Sequence, residues 1–281
     1  MITPLPDTLI EPIVRAALAE DLGRAGDVTS AACIAPDAVL TVAFAARQTG
    51  VVSGLACARR ALAALDPRIA FETIAADGDA LQAGTVLATA TGNARAILSA
   101  ERVALNLLGH LSGVASLTAA YVREVAGTRA RIADTRKTTP GLRALEKYAV
   151  RCGGGMNHRF GLDDAILIKD NHVAAAGGVA AALTRAKAAA PHLMKIEVEV
   201  DGLDQLREAL PLGPDVIMLD NFSLKDLRAA VAIVAGRVTL EASGGVNLST
   251  VRAIAETGVD VISVGALTHS APVLDSGLDA R

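Results

Sequence analysis

Apolar and polar positions along this chain keep two rhythms, and the change falls near its middle. Over residues 7–21, Leu9, Ile10, Ile13, Val14 and Leu18 recur at helical spacing, which predicts an amphipathic helix with Asp7 or Thr8 as its cap. Three strand-like runs follow, Val39–Ala46, Ile69–Ile74 and Val86–Thr91, with an alanine-rich helix over Gly54–Leu65. Asp77-Gly78-Asp79 and Gly84 punctuate the later runs as turns. A long helical region over Ala94–Val125 is expected to break near Gly109–Gly113. Strands and helices without strict alternation make this part α+β.

From Arg131 onward the plan is regular. Strands are expected at Arg131–Asp134, Ala165–Lys169, Lys195–Val200, Asp215–Asp220, Arg237–Ala242 and Asp260–Gly265, the last four about every 20 to 23 residues. Helices are expected between them at Val173–Ala190, Leu203–Leu210, Leu224–Ala235 and Leu248–Glu256. Short hydrophobic strands alternating with helices predict a parallel sheet, and six on one βα plan predict a full or incomplete (β/α) barrel. The fold class is therefore α/β. The boundary is expected near Leu107–Gly113, giving domains of residues 1–110 and 111–281, with the C-terminal tail packing back on the first.

Polar residues close each barrel strand: Lys169, Glu199, Asp220, Glu241 or Ser243, and Gly265. One charged strand end is usually a solvated boundary; five in succession point to a site at the barrel mouth. Glu199 and Asp220 face each other on adjacent strands. Paired carboxylates suit a divalent metal, sugar hydroxyls or acid–base work, and with no His or Cys expected beside them Mg²⁺ is favoured over a transition metal. Ser243-Gly244-Gly245 and Gly265-Ala266 occupy the last two loops, where backbone N–H groups commonly bind phosphate; the plainer reading is two tight turns.

Charge sharpens the picture. The stretch 134–172 holds Arg136, Lys137, Arg143, Lys147, Arg151, His158, Arg159, Lys169 and His172, although the whole chain carries net charge -3. Such a local cationic cluster suits a small polyanion. Lys169 reads as an electrostatic clamp or as a Schiff-base nucleophile. Aromatics at 2%, no Trp and a pI near 6.0 argue against nucleic-acid binding. No run of 18 apolar residues stands out, so no membrane span is expected, and the N-terminus does not look like a secretory signal. Cys33, Cys57 and Cys152, widely spaced and odd in number, fit a reducing cytoplasm and offer no zinc framework. Cys152 has no recognisable base–orienter pair. Gly153-Gly154-Gly155 is a weak signal, no P-loop motif occurs, and His110, His192 and His269 read as structural.

These motifs also carry a resemblance. Ser99–Arg102 with Asn106–Ser112, DTRKTTPGLR at 134–143, EKYAVRCGGGMNHR at 146–159, LIKDNH at 167–172, EVEV at 197–200, LDNF at 219–222, EASGG at 241–245 and VGALTHS at 264–270 span nearly the whole chain. Together they resemble the quinolinate phosphoribosyltransferases. That resemblance implies an N-terminal α/β sandwich, an incomplete α/β barrel and a head-to-tail homodimer. It implies joining of quinolinate to 5-phosphoribosyl 1-pyrophosphate with Mg²⁺, giving nicotinate mononucleotide, pyrophosphate and CO2 for NAD synthesis. By position, Thr135, Arg136, Lys137, His158, Arg159 and Lys169 would line the quinolinate pocket, with Arg102 arriving from the neighbouring subunit. Glu199 and Asp220 would hold ribose hydroxyls and metal. Ser243, Gly244, Gly245, Val264, Gly265 and Ala266 would bind the 5-phosphate. Lys137 and Lys169 are the candidates for protonating C2. Three rivals remain: a molybdenum-transport-associated relative, from which the intact TRKTTPG and KDN segments separate this chain, a Schiff-base lyase using Lys169, and a non-catalytic binding barrel.

Overall fold

A computed structural model describes residues 2–281. Its strands are β1 (Val39–Ala46), β2 (Gly50–Val51), β3 (Ala70–Thr73), β4 (Ala80–Leu81), β5 (Val86–Asn93), β6 (Arg131–Ala133), β7 (Ile166–Ile168), β8 (Ile196–Val200), β9 (Val216–Asp220), β10 (Thr239–Ser243), β11 (Val261–Ser263) and β12 (Ser276–Ala280). The chain divides into two compact units. One comprises described residues 2–119, 138–154 and 267–281; the other comprises 120–137 and 155–266.

The first unit is built on an antiparallel sheet ordered β12-β1-β5-β3. The C-terminal tail supplies β12, which pairs with β1 from Val42↔Ala280 to Ala46↔Ser276 and covers what would be an open edge. The first helix runs Asp7–Leu22 and buries Ile10, Val14 and Leu18, the spacing expected; Pro6 occupies its N-cap position and no side chain caps it. Three α-helices lie outside the expected elements: the short helices Val28–Cys33 and Ala266–His269, and helix Arg143–Cys152, which buries seven of its ten residues.

The expected break at Gly109–Gly113 does not occur. One helix runs without interruption from Ala94 to Glu124. A Cβ on Gly109 would sit 2.9 Å from the Leu274 carbonyl oxygen, and one on Gly113 would overlap the Pro272 carbonyl oxygen. These glycines thus let residues 272–274 lie against the helix; they do not end it. By length and composition this helix could cross a membrane, but 67% of its most apolar stretch is buried, as in a core helix.

The second unit holds a six-stranded parallel sheet ordered β6-β11-β10-β9-β8-β7. The strands fall where hydrophobic runs predict them, because a parallel sheet covered by helices buries both faces. Val198, Val200, Ile217, Leu219, Leu240, Ala242 and Ile262 form one buried face, and the helices over 179–189, 203–209 and 224–234 bury Leu183, Leu206 and Leu227. Each such side chain contributes about 1.5–3 kcal/mol of burial. Met156 adds a parallel bridge to Ala133 at the outer side of β6. The barrel is thus incomplete, with an irregular segment where another strand would run. The helix expected over 173–190 is two, Asp170–Ala176 and Val179–Ala189, because Gly177 and Gly178 adopt φ of 86° and 127° between them.

Gly113→Ala tests the packing of residues 272–274. Gly→Ala inside a helix ordinarily stabilises by about 1 kcal/mol. Here the overlap reverses the sign, and we expect Tm to fall by roughly 3–8 °C. A rise in Tm, measured by differential scanning calorimetry, would show that the tail does not pack there.

Candidate active site

Alternation in β8 generates the site. Ile196, Val198 and Val200 face the helices, so Glu197 and Glu199 share the opposite, lumenal face. The parallel register extends this face, pairing Glu199 with Met218 and Met218 with Glu241, and then Asp220 with Ser243. Glu197, Glu199 and Glu241 are all buried, at 7%, 8% and 4% exposure. Buried carboxyls need partners.

Glu199 finds Lys169, whose ammonium Nζ lies 2.5 Å from Oε2. Lys169 follows β7 directly, and its backbone N–H donates to His172 Nδ1 at 2.9 Å, which fixes the turn into the next helix. An ammonium anchored on a buried carboxylate favours the clamp reading over a free amine nucleophile. Asp220 ends β9; Asn221 Nδ2 donates to its Oδ2 at 2.6 Å. Asn221 adopts φ of 54°, uncommon for a residue with a side chain, and its N–H donates to the Ser243 carbonyl at 2.9 Å. A Cβ on Gly244 would overlap the Asn221 amide, so only glycine fits there. Gly244 and Gly245 take consecutive positive φ of 92° and 59°.

Arg136 and Arg159 share one neighbourhood. Burial, and then the like charge of Arg136, lower the Arg159 pKa below the ordinary guanidinium value. Arg159 Nη1 donates to the Ala165 carbonyl at 3.2 Å. Glu197 and Asp164 act the other way, so these half-buried guanidiniums sit among carboxylates that partly offset them. Lys137 is exposed, and its N–H donates to Thr135 Oγ1 at 3.0 Å. Val264 is buried, its N–H donating to Ala133 O at 2.9 Å; Gly265 and Ala266 follow it.

The 134–172 cations do not all fall together. Residues 138–154 belong to the first unit, and with them Arg143, Lys147 and Arg151. Lys147 is fully buried there, beside a His110–Glu146 pair at 2.9 Å. Arg102 also lies in the first unit, on helix 94–124, with its side chain 65% exposed and 3.6 Å from Glu101.

Family models match both halves of the chain: the quinolinate phosphoribosyl transferase N-terminal domain over residues 27–112, and the C-terminal domain over 114–279. The chain belongs to the quinolinate phosphoribosyl transferase family. It is 49% identical over 276 residues to a nicotinate-nucleotide pyrophosphorylase [carboxylating] of Mycobacterium leprae, covering 95% of each chain. It is 45% identical over 260 residues to a probable nicotinate-nucleotide pyrophosphorylase [carboxylating] of Bacillus subtilis, covering 92% of this chain and 89% of that one. The nicotinate-nucleotide pyrophosphorylase structure from Francisella tularensis superposes with a TM-score of 0.95 at 41% identity, covering 100% of this chain and 99% of that one.

Sequence reasoning missed one constellation in this family member. His158 Nε2 lies 2.9 Å from Glu197 Oε2 and 3.6 Å from Glu241 Oε1. The three ligand-capable atoms lie within 4.8 Å of one another. A histidine therefore sits among lumenal carboxyls beside Glu197 and Glu241, a different pair from the Glu199 and Asp220 to which the expectation of no His or Cys applied. The available signal was the Glu-Val-Glu alternation, which puts Glu197 on the Glu199 face. Glu241 also stood among the strand-end polar residues.

Burial, and then Glu197, push the Glu241 carboxyl from an ordinary 4.5 up to about 7. A raised acid pKa means that the folded state holds a proton which the unfolded chain has released. Stability is therefore lost as pH rises from 4.5 to about 7, and the penalty is complete above that. Glu241→Gln removes the ionisation. We expect the variant's Tm, relative to the parent's, to be higher at pH 8 than at pH 5 by on the order of a few degrees. An equal difference at both pH values would show that Glu241 does not titrate in this range.

Proposed function

We propose that this chain transfers the phosphoribosyl group of 5-phosphoribosyl 1-pyrophosphate to quinolinate with loss of CO2, forming nicotinate mononucleotide for NAD synthesis. The single observation carrying this reading is the joint presence, in a member of this family, of the Arg136–Arg159 neighbourhood and the Lys169–Glu199 pair on one barrel unit. Quinolinate carries two adjacent carboxylates, and offsetting them takes several fixed cations.

Arg136, Lys137, His158, Arg159 and Lys169 form the acceptor pocket, with Thr135 fixing the turn of Lys137. Arg102 of the partner subunit completes it in a homodimer. Ser243, Gly244, Gly245, Val264, Gly265 and Ala266 take the 5-phosphate through backbone N–H groups, which positive-φ glycines leave uncrowded. Glu199 and Asp220 face the ribose. Both offer hard oxygen donors at adjacent strand ends, a set that fits Mg²⁺. When bound, Mg²⁺ neutralises pyrophosphate charge.

The residues then act by position and field. As the C1–O bond to pyrophosphate breaks, C1 gains positive charge, which Glu199 and Asp220 stabilise. The pyridine nitrogen attacks C1 and becomes a pyridinium. The C2–carboxylate bond breaks, CO2 leaves, and the electron pair stays at C2 beside the positive nitrogen. A proton then adds at C2. Lys169 is our candidate donor, since Glu199 holds its ammonium in place, and Lys137 is the second. A cytoplasmic location fits three cysteines without a disulfide among the described residues.

A coupled assay with quinolinate, 5-phosphoribosyl 1-pyrophosphate and Mg²⁺ should release nicotinate mononucleotide and CO2, with nicotinic acid inert in its place. Quinolinate binding without product would overturn the reading in favour of a transport-associated relative. Lys169→Met should lower kcat by about 100-fold or more, and normal turnover would remove Lys169 from the proton step. Mixing Lys169→Met with Arg102→Ala subunits should restore activity through hybrid dimers that carry one intact site. No recovery after confirmed subunit exchange would mean that Arg102 does not act across subunits.

A further inference from the structure

The mechanism leaves two buried carboxyls unused, Glu197 and Glu241, both aimed at His158. Each has one oxygen, Oε1, buried without a hydrogen-bond partner. Two occupants suit such a cluster: a transition metal or a proton. The far side of the imidazole decides between them. A histidine that binds metal through Nε2 carries its proton on Nδ1 and donates it to an acceptor. Here Nδ1 faces a donor, the Arg159 backbone N–H at 2.8 Å. Nδ1 therefore accepts, and the ring proton resides on Nε2, directed at Glu197 Oε2 2.9 Å away.

The rest of the segment is held as firmly. The His158 N–H donates to Asp134 Oδ1 at 2.9 Å, and Asn157 Nδ2 donates to Asp134 Oδ2 at 2.6 Å. Asp134 itself is fully buried just after β6. Residues 157–159 are thus tied to β6 through Asp134 and to β8 through Glu197.

We infer that Glu197 is a positioning residue for the acceptor subsite: it takes the Nε2–H of His158, whose Nδ1 receives the Arg159 amide, so His158 serves as an uncharged strut that sets Arg159. The inference rests on the proposed function for the ligand that Arg159 meets, but not for the tautomer. Glu241 stands 3.6 Å from the same nitrogen, too far for a hydrogen bond. Burial and Glu197 keep it protonated until about pH 7, so it adds little charge that would draw a second proton onto the ring. The acceptor pocket thereby owes its cationic character to arginines and lysines, which keep their charge across physiological pH. His158 adds shape.

Two measurements test this. The chain has five histidines, so histidine-selective ¹⁵N labelling with long-range ¹H–¹⁵N spectra can resolve them, His158 being assigned by its loss in His158→Gln. At pH 7 we expect the neutral Nε2–H tautomer, with and without quinolinate. A doubly protonated ring would overturn the inference, as would an Nδ1–H ring together with a stoichiometric transition metal in the purified protein. This readout uses the unmodified enzyme and stands even if quinolinate is not the ligand.

The second is a kinetic cycle. Glu197→Leu, which cannot accept the Nε2–H, should raise the quinolinate KM about tenfold without a matching rise for 5-phosphoribosyl 1-pyrophosphate. In an Arg159→Ala background the same change should add less than about twofold, because its effect runs through Arg159. Equal factors in both backgrounds would mean that Glu197 supports the fold generally. Absence of quinolinate turnover in the parent would instead overturn the proposed function and leave the tautomer result intact.

Discussion

A parallel sheet covered by helices has no wet face, and that constraint organises the second unit. Strand residues point either to the helices or into the lumen, and any charge in the lumen must be matched there. This chain places Glu197, Glu199 and Glu241 in that position, all under 9% exposed. Each is answered differently. Glu199 takes an ammonium, Glu197 takes an imidazole N–H, and burial pushes the Glu241 carboxyl up to about 7. The cations and donors that answer them, Lys169 and His158 with the Arg159 amide behind it, belong to the pocket. Satisfying the lumen and placing the site are therefore one act of folding.

The same constraint explains what could be read from the sequence. A buried strand stands out as a short hydrophobic run, or in β8 as Ile and Val alternating with glutamates, so all six barrel strands lie where they were expected, and Glu199, Asp220 and Ser243 end or nearly end theirs. In the first unit the antiparallel strands over 39–46 and 86–93 were equally plain.

What escaped the sequence was whatever depends on partners distant along the chain. Gly109 and Gly113 read as a helix break because a glycine pair usually weakens a helix; only the carbonyls of residues 272–274 reveal why they sit within one. Strand β12 is short and polar, and it exists as a strand because β1 offers it an edge. Glu197 was passed over because a glutamate one layer below the strand end has no local mark of function. Its meaning comes from His158, 39 positions earlier in the chain.

Depth in the lumen then sorts roles. At the strand ends, Asp220 and Ser243 are only partly buried, and the Asn221–Gly244 approach stiffens the two loops that carry them. Under the proposed function these are the groups that meet a mobile, heavily charged sugar phosphate. Deeper, Glu199 and Lys169 couple a buried carboxylate to an ammonium with 46% of its side chain exposed. That pair can follow charge as it develops and collapses during a reaction, since one partner reaches solvent and the other does not. At Glu197, Glu241 and His158 no side chain is more than 12% exposed, and a free charge there would be costly. A network in which Nε2–H occupies Glu197 suits that depth, because it orients without demanding compensation when substrates come and go. The like charge of Arg136 lowers the Arg159 pKa while Glu197 and Asp164 act in the opposite direction, so the guanidinium charge is partly offset by the protein itself. Under the proposed function, the diacid completes an offset that these two carboxylates begin, beside an imidazole that adds no charge of its own.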